Sequence, residues 1–213
     1  MVIPLPPLLV LTDRTRARRP LDETVAAAIA GGARAVVLRE KDLPTAERQA
    51  LAERLWRLLA PVDGLLIAAS RPVGPATGVH LAAADPRARA AVIGRSCHDG
   101  SEVAAATVEG VDYLTVSPVF PTVSKPGYGP PLGLSGLDEL CRRTRVPVYA
   151  LGGVTASNAA ACRMAGAAGV AVMGDVMRTD DPAATVAGIL RSWDLAGGSR
   201  PVTATVDRMG GGR

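Results

Sequence analysis

Two lysines are the residues of this sequence whose type says most about its chemistry. Lysine occurs only at Lys41 and Lys125, although lysine and arginine together number 24 among the 213 residues. Lysine carries a compact point charge on a flexible stem, whereas arginine is a planar fork, so a site shaped for one is poorly served by the other. Either the two are surface lysines left by chance, or they bind an anionic ligand, and their positions in the chain favour the second.

A third cation, Arg39, precedes Lys41 by two residues at the end of the aliphatic run 35–38. Because side chains alternate along a strand, Arg39 and Lys41 would project in the same direction at its end. Two cations on one side favour a polyanion. The alternative is a solvated loop of mixed charge, since Glu40 lies between them.

Polar groups also follow two later aliphatic runs. Asp85 comes shortly after the apolar run that contains His80, and Ser96 lies in the segment 95–98, which offers a guanidinium, a hydroxyl and an imidazole. Such a density of donors favours an anion. His80 itself is expected to be a hydrogen-bonded core residue, and no evident base activates Cys97 as a nucleophile.

The segment 117–131 is the longest predicted loop. Long loops in compact folds commonly bind ligands. This one holds Lys125 together with the hydroxyls of Thr122 and Ser124, and several prolines restrict its freedom. We therefore expect it to contribute to an anion site.

A glycine pair, Gly152 and Gly153, follows the aliphatic run 148–151 at a turn that leads into a predicted helix. Glycine lets backbone N–H groups approach a phosphate closely, and Gly174 follows the next aliphatic run in the same way. The sequence therefore predicts a phosphate site between these two turns.

These segments need a scaffold that brings the ends of different strands together. Short aliphatic runs alternate with alanine-rich helical segments, which is typical of βα units around a parallel sheet. Eight strands within about two hundred residues predict a single (β/α)8 TIM barrel, whose active sites lie at the C-terminal strand ends. The predicted strands cover residues 8–11, 35–38, 65–68, 78–81, 91–94, 113–116, 148–151 and 169–173, and the predicted helices cover residues 22–31, 45–59, 99–110, 136–143, 155–166 and 182–193.

Breaks in this pattern set the limits of the barrel. Residues 71–77 hold two prolines and a glycine, so they predict a shortened third helix. The barrel is expected over residues 1–195, followed by a disordered, glycine-rich tail at 196–213. Helix starts are expected at the N-cap residues Asp22 and Thr155, and helix ends at Gly110 and Gly166.

Composition excludes several classes of protein. With 48% hydrophobic and 3% aromatic residues the chain can bury one aliphatic core, and its net charge of +4 slightly favours anionic small molecules. No aromatic interleaving or basic helix indicates nucleic acid. Residues 1–10 are apolar but hold three prolines and no basic leader, so they predict a first strand rather than a signal peptide, and no membrane span is expected. Three cysteines without metal-ligand spacing favour a reducing cytoplasm.

Six short motifs occur in order along the chain. They are Leu-Arg-Glu-Lys at 38–41, Gly-Val-His-Leu at 78–81, Ile-Gly-Arg-Ser-Cys-His at 93–98, Asp-Tyr at 112–113, Ser-Pro-Val-Phe-Pro-Thr at 117–122 and Ala-Leu-Gly-Gly-Val-Thr-Ala-Ser-Asn at 150–158. In this order and spacing they resemble the thiamine phosphate synthase superfamily. That family contains the synthase, which joins hydroxymethylpyrimidine diphosphate to thiazole phosphate with release of pyrophosphate, and a thiazole tautomerase.

The resemblance implies a transferase with two phosphorylated substrates and a magnesium ion. No protein nucleophile is required, because the thiazole nitrogen attacks a pyrimidine cation. The implied diphosphate ligands are Arg39, Lys41, Ser96 and Lys125, the implied Mg²⁺ ligand is Asp85, and the implied ligands of the thiazole phosphate are Thr122, Ser124 and the backbone near Gly152, Gly153 and Gly174.

Several positions depart from the synthase pattern. Ala69 and Ser70 stand where the family has asparagine and aspartate, and Val37 stands where it has a glutamine for the pyrimidine. Asp175, beside the predicted phosphate turn, could repel a phosphate. These changes favour a tautomerase-like isomerase, although Pro118 stands where the tautomerase has a histidine. The retained cations favour the synthase, and a non-catalytic barrel that binds a phosphate ligand is the third alternative.

Overall fold

Eight parallel strands close into a barrel in the computed structural model, which describes residues 2–122, 130–197 and 203–205. The barrel strands are β2 to β9, each pairs with the next along the chain, and β2 closes the ring against β9. The predicted (β/α)8 barrel is therefore confirmed. The strands are β1 (Val2–Pro4), β2 (Leu8–Leu11), β3 (Ala35–Leu38), β4 (Leu65–Ala69), β5 (Gly78–Leu81), β6 (Val92–Cys97), β7 (Tyr113–Val116), β8 (Val148–Leu151), β9 (Gly169–Val172) and β10 (Thr203–Thr205).

Helices surround the barrel, but not after every strand. Residues 70–77 and 82–91, which follow β4 and β5, contain no helix, so the third helix, predicted to be shortened, is absent. Two short crossovers therefore lie side by side at one part of the barrel mouth. The helices are α1 (Leu21–Ala30), α2 (Thr45–Leu59), α3 (Gly100–Glu109), α4 (Gly133–Arg142), α5 (Ala159–Met164), α6 (Gly174–Met177) and α7 (Pro182–Leu195). Each of them is too short or too polar to span a bilayer.

Alternating strand residues divide the core into two layers. Leu8 and Val10 face the helices, whereas Leu9 and Leu11 face the barrel interior, as the two-residue period of a strand requires. Val37 belongs to the interior layer and is 1% exposed. The helices thus cover one apolar surface of the strands, and the other surface fills the barrel below its mouth.

Two tyrosines fill much of that interior. The rings of Tyr113 and Tyr149 meet edge to face with 5.5 Å between their centroids. A Cβ at Gly94 would overlap the Tyr113 ring, and one at Gly169 would overlap the Tyr149 ring. These two strand glycines therefore create the space that the aromatic rings occupy.

The sequence interpretation is wrong about both predicted N-cap residues, Asp22 and Thr155. Helix α1 begins at Leu21 after Pro20, so Asp22 lies in its first turn instead of capping it. Helix α5 begins four residues after the predicted Thr155, because the side-chain oxygen of Asn158 accepts a hydrogen bond from the Thr155 N–H at 2.8 Å and holds a turn there. The helix end predicted at Gly110 is confirmed, with a left-handed φ of 73°.

The predicted first strand, residues 1–10, is two strands among the described residues. Strand β1 is separate from β2 and pairs antiparallel with Thr203–Thr205, which lie within the tail predicted to be disordered. Backbone pairing therefore orders these three tail residues. The division of the chain at residue 195 otherwise stays a prediction.

Candidate active site

A cavity of 490 Å³ opens at the C-terminal ends of the barrel strands. A volume of this size suits small organic ligands. Its floor is largely apolar, since Leu11, Ala69, Leu151 and Ala171 contribute to it. Seven of the residues predicted from the sequence line its wall: Arg39, Lys41, Ser96, Thr122, Gly152, Gly153 and Gly174.

The three other predicted site residues are placed differently. Asp85 does not line the cavity, but its neighbour Ala82 does. Ser124 and Lys125 lie outside the described residues. The roles assigned to all ten residues stay predictions, while the convergence of seven of them on one cavity is a feature of the fold.

A buried glutamate fixes the direction of the two cations that flank it. Glu40 is 3% exposed, accepts a hydrogen bond from the Thr12 hydroxyl, and accepts another from the Arg14 N–H at 2.9 Å. The Arg39 N–H donates to the same Thr12 oxygen at 2.9 Å. Glu40 thus points away from solvent, and Arg39 and Lys41 on either side of it line the cavity. The buried Glu40 does not fit a solvated loop of mixed charge, but Lys41 is exposed and the Arg39 side chain is 39% exposed, so the anion-binding role of the two cations stays a prediction.

Asp85 is held in its ionised form beside the cavity. Burial would raise the pKa of Asp85, but hydrogen bonds from Ser70 and from the Ala82 N–H, with the charges of Lys41 and Arg95, hold that pKa below its ordinary value. The bond from the Ala82 N–H to Oδ2 is 2.8 Å long. Ser70, the first residue after β4, has a left-handed φ of 64°. Asp85 and Ser70 thus form one polar corner next to the cations.

This corner fits a magnesium ion only when the substrate supplies further ligands. Within residues 2–122 and 130–197 no three His, Cys, Asp or Glu side chains lie close enough to form a metal site. Magnesium is commonly bound by one or two carboxylates together with water and substrate phosphate oxygens. Asp85 supplies one carboxylate, the smaller of these two numbers. The donor set is therefore compatible with Mg²⁺ that a diphosphate helps to hold, and incompatible with a preformed protein cage.

The glycine pair packs against the loop that leaves β7. Gly152 and Gly153 have left-handed φ values of 94° and 65°. A Cβ at Gly152 would lie 2.9 Å from Pro118, and one at Gly153 would lie 2.6 Å from the carbonyl oxygen of Pro121. The Phe120 N–H donates to the Gly152 carbonyl at 3.0 Å. Only glycine permits this approach, which brings the end of the Ser-Pro-Val-Phe-Pro-Thr segment to the cavity wall.

Neither Gly152 nor Gly153 donates a backbone hydrogen bond to another described residue. Both glycines are half-buried at the cavity wall, so their N–H groups are placed where an anionic or polar ligand can accept from them. The phosphate site at this turn stays a prediction.

Two residues that the sequence interpretation missed also line the cavity. Arg178 lies one helical turn after Gly174, and a Cβ at Gly174 would overlap its guanidinium. The Arg178 N–H donates to the Gly174 carbonyl at 3.1 Å, but its guanidinium has no hydrogen-bond or ion-pair partner within the described part of the chain. Its i+4 spacing from Gly174 is a signal that could have identified it. It adds a cation beside Asp175, the carboxylate expected to repel a phosphate.

The second missed residue is Ser117, at the end of β7. It is 3% exposed and lines the cavity, yet its hydroxyl oxygen has no hydrogen-bond partner among residues that the structure describes. A buried hydroxyl without a partner costs about 1–3 kcal/mol. A polar ligand atom above the apolar floor would give the Ser117 hydroxyl a hydrogen-bond partner. No pattern in the sequence separates Ser117 from the other hydroxyls of its motif.

Comparison with known proteins agrees with this geometry. Residues 8–176 match the family model for thiamine monophosphate synthase. A putative thiamine-phosphate synthase of Geobacter sulfurreducens is 38% identical over 188 residues, which cover 82% of this chain and 88% of that protein. A thiamine-phosphate synthase of Roseiflexus castenholzii is also 38% identical and covers 82% of each chain.

A solved structure extends the likeness to the whole fold. The thiamine phosphate pyrophosphorylase of Pyrococcus furiosus superposes with a TM-score of 0.81 at 30% identity, over 90% of this chain and 96% of that one. The resemblance inferred from six motifs is therefore confirmed by matches that span most of the barrel. The chain belongs to the thiamine monophosphate synthase family.

Proposed function

We propose that this chain is a thiamine phosphate synthase that joins hydroxymethylpyrimidine diphosphate to thiazole phosphate and releases pyrophosphate. The observation that carries the proposal is that the cavity is polar at two parts of its wall and apolar on its floor. Arg39, Lys41 and Ser96 supply cations and a hydroxyl at one part, and the Gly152–Gly153 turn supplies N–H donors at the other. Two flat rings with anionic ends match that arrangement.

The chemistry asks the protein to stabilise a leaving group. The bond between the pyrimidine methylene carbon and the diphosphate oxygen breaks, its electron pair leaves with pyrophosphate, and a cation remains on the pyrimidine. Arg39 and Lys41 neutralise the charge that grows on the leaving oxygens, and Ser96 donates a hydrogen bond to them. By resemblance alone, Lys125 is a further ligand of the diphosphate. The thiazole nitrogen then attacks the carbon and forms the new C–N bond.

No cysteine is suited to act as a nucleophile in this scheme. Burial raises the pKa of Cys97 to about 12, and nearby Glu102 adds to the effect. Cys97, Cys141 and Cys162 are all free thiols. Free, protonated thiols agree with the direct attack of one substrate on the other, and they support the predicted location in a reducing cytoplasm.

Magnesium, when bound, would add Lewis-acid stabilisation of the departing diphosphate. Asp85 would hold it, and Ser70 and the Ala82 N–H keep that carboxylate ionised and in place. Compared with the aspartate that the family has at position 70, the serine hydroxyl contributes no charge. We therefore expect a weaker affinity for magnesium than two carboxylates would give.

The thiazole phosphate is assigned to the other end of the cavity. Thr122, the N–H groups of Gly152 and Gly153, and Arg178 would bind it, with Ser124 assigned by resemblance. Gly174 leaves the space that the Arg178 guanidinium occupies. The positive charge of Arg178 offsets the repulsion expected from Asp175. Ser117 is available to the ring atoms of either substrate.

Turnover of purified protein tests the proposal. Given both phosphorylated substrates and Mg²⁺, the protein should release pyrophosphate, and Lys41→Ala should lower the rate about 100-fold while the melting temperature changes little. Arg54→Ala is the matched control, because Arg54 is an exposed cation that pairs with Asp22 on the outside of the barrel. Conversion of a thiazole precursor without pyrophosphate release would identify the tautomerase instead. Absence of both reactions, with stabilisation by inorganic phosphate, would leave a phosphate-binding barrel.

A further inference from the structure

A buried row of three side chains lies behind the hydroxyl of Ser96. The Nε2 of His80 is 2.9 Å from the Ser96 Oγ, and its Nδ1 is 3.0 Å from the Tyr113 hydroxyl. These residues come from three adjacent strands, β5, β6 and β7. Tyr113 is fully buried, whereas Ser96 and one side of His80, which is 7% exposed, line the cavity. The row therefore connects the barrel interior to the cavity wall.

Tyr113 fixes the direction of the hydrogen bonds in this row. Its hydroxyl proton needs an acceptor, and within the described residues its only hydrogen-bond partner is His80 Nδ1. A buried hydroxyl proton left without an acceptor costs about 1–3 kcal/mol. Tyr113 therefore donates and Nδ1 accepts.

The tautomer of His80 follows from that donation. A neutral imidazole carries one proton, and since Nδ1 accepts, the proton lies on Nε2. Nε2–H then donates to the Ser96 Oγ, with the Thr115 hydroxyl at 3.4 Å as a second, longer neighbour. The Ser96 oxygen is thus used as an acceptor on its buried side. Its own proton is directed to the cavity, where it can be donated to an anion.

Burial keeps both ring systems of the row in one protonation state. Burial, followed by the charges of Lys41, Arg39 and Arg95, lowers the pKa of His80 to about 3. Burial also raises the pKa of Tyr113 well above its ordinary value. Around neutral pH His80 is therefore neutral and Tyr113 protonated, so the direction of donation does not change.

We propose that His80 is a positioning residue which, together with Tyr113, makes the Ser96 hydroxyl a one-way donor to the leaving diphosphate. This inference rests on the proposed function. In the opposite tautomer Ser96 would donate its proton to Nε2 and present only lone pairs to the cavity. Lone pairs would repel a diphosphate, so the direction of the row decides whether Ser96 helps or opposes departure of the leaving group.

Removal of one phenol oxygen tests the row with a matched control. Tyr113→Phe deletes the donor to Nδ1, and Tyr149→Phe deletes the hydroxyl of the neighbouring buried tyrosine, which donates to the Pro6 carbonyl at 2.9 Å. We expect Tyr113→Phe to lower kcat about tenfold or more, in line with the loss of an aligned donor, and to leave the KM for thiazole phosphate unchanged. Tyr149→Phe should leave kcat unchanged. Equal effects of the two variants would overturn the proposal.

A double-mutant cycle shows whether the effect passes through Ser96. In a Ser96→Ala background, Tyr113→Phe should have no further effect on kcat, because the hydroxyl that the row directs is already absent. His80→Asn should behave in the same way. Independent, multiplicative losses would mean that His80 and Tyr113 act without Ser96, and would contradict the proposal.

Two measurements separate this proposal from the proposed function. Nitrogen-15 NMR of the imidazole should show the Nε2–H tautomer, unchanged between pH 5 and pH 8, while an Nδ1–H signal would overturn the proposal whatever the enzyme does. Titration with inorganic pyrophosphate should show weaker binding by Ser96→Ala and Tyr113→Phe than by Tyr149→Phe. If the protein makes no thiamine phosphate but meets both expectations, the proposed synthase function is refuted and the proposed direction of the Ser96 hydroxyl stands.

Discussion

The guanidinium of Arg95 donates a hydrogen bond of 2.9 Å to the backbone carbonyl of Asp85. The same nitrogen also donates to the carbonyls of Ala82 and Ala83, and the second terminal nitrogen donates to Glu109 at 2.9 Å. The Arg95 side chain is only 9% exposed. A single buried cation therefore shapes the helix-free loop after β5 and sets the position of the predicted magnesium ligand.

Arg95→Met tests this positioning. The change leaves the Glu109 carboxylate without its cation and three carbonyls without their donor, so the free energy of unfolding should fall by about 3 kcal/mol in urea denaturation. The Mg²⁺ concentration for half-maximal pyrophosphate release should rise several-fold. Arg87→Met is the control, since the exposed Arg87 side chain bonds only the Glu109 carbonyl among the described residues. An unchanged magnesium requirement in Arg95→Met would show that Asp85 does not act through this loop.

Ser70→Asp should strengthen magnesium binding. It places a second carboxylate beside Asp85, and aspartate tolerates the left-handed backbone that Ser70 adopts. We expect the half-maximal Mg²⁺ concentration to fall several-fold, and the melting temperature to fall without Mg²⁺ and recover with it, because two carboxylates repel each other. Ser70→Asn has the same shape without the charge and should show neither effect. Equal behaviour of the two variants would exclude a metal at this corner.

Gly153→Ala should impair binding of the thiazole phosphate. The matched control is Gly133→Ala, because both glycines have a φ of 65° but no atom of the described residues lies within 4 Å of a Cβ at Gly133. Both variants should lose about 1 kcal/mol from backbone strain. The free energy of unfolding of Gly153→Ala should fall by about 1–3 kcal/mol more, because its new Cβ overlaps Pro121 and Phe120. The KM of Gly153→Ala for thiazole phosphate should rise, while its KM for the pyrimidine diphosphate should not change. If Gly153→Ala and Gly133→Ala have the same KM for thiazole phosphate, the assignment of the thiazole phosphate to this turn is contradicted.

Arg178→Ala should raise the KM for thiazole phosphate about tenfold, the effect of losing roughly one charge-assisted hydrogen bond. The KM for the pyrimidine diphosphate should not change. Gly174→Ala should produce part of the same defect with the charge retained, because the new Cβ displaces the guanidinium. Arg191→Ala removes an exposed arginine of α7 and serves as the control. A larger effect on the diphosphate than on the thiazole phosphate would assign Arg178 to the other substrate.

Acid should destabilise the fold through His80. Its folded pKa of about 3 lies below the ordinary value of 6.5, so the unfolded chain binds a proton that the folded chain refuses. This contribution to stability is complete above about pH 6.5 and is lost at about 1.4 kcal/mol per pH unit below it, down to pH 3. Urea denaturation at several pH values should show this slope, and His80→Asn should lack it. Parallel pH curves for the two proteins would contradict a neutral buried imidazole.

The sequence predicts the strands well because their signal is local. Runs such as β3 and β8 are short, wholly apolar and bounded by polar or glycine residues, and the structure places them where the pattern does. Helix starts are less determined, since several nearby side chains can cap the same turn. Asn158 competes with Thr155 in that way, and tertiary packing decides between them.

Chemistry that depends on burial is not visible in the sequence. Lys41 is informative because its residue type is rare in this chain, whereas Ser117 resembles any other serine until its surroundings exclude water. Arg178 is one of many arginines, and only the absent Cβ of Gly174 gives its guanidinium a place at the cavity. The sequence interpretation treats His80 as a satisfied core residue, which is confirmed, but the identity of its partner Ser96 requires the barrel register.

The order of strands around the barrel separates the two ends of the cavity. The cations and the magnesium corner come from the arc β3 to β6, and the glycine turn and Arg178 come from the arc β8 to β9. The substitutions at Val37, Ala69 and Ser70 all fall on the first arc. Further change on the first arc would therefore alter diphosphate chemistry first, while the Arg39 guanidinium, which contacts Met173 beside Gly174, joins the two arcs at one side of the rim.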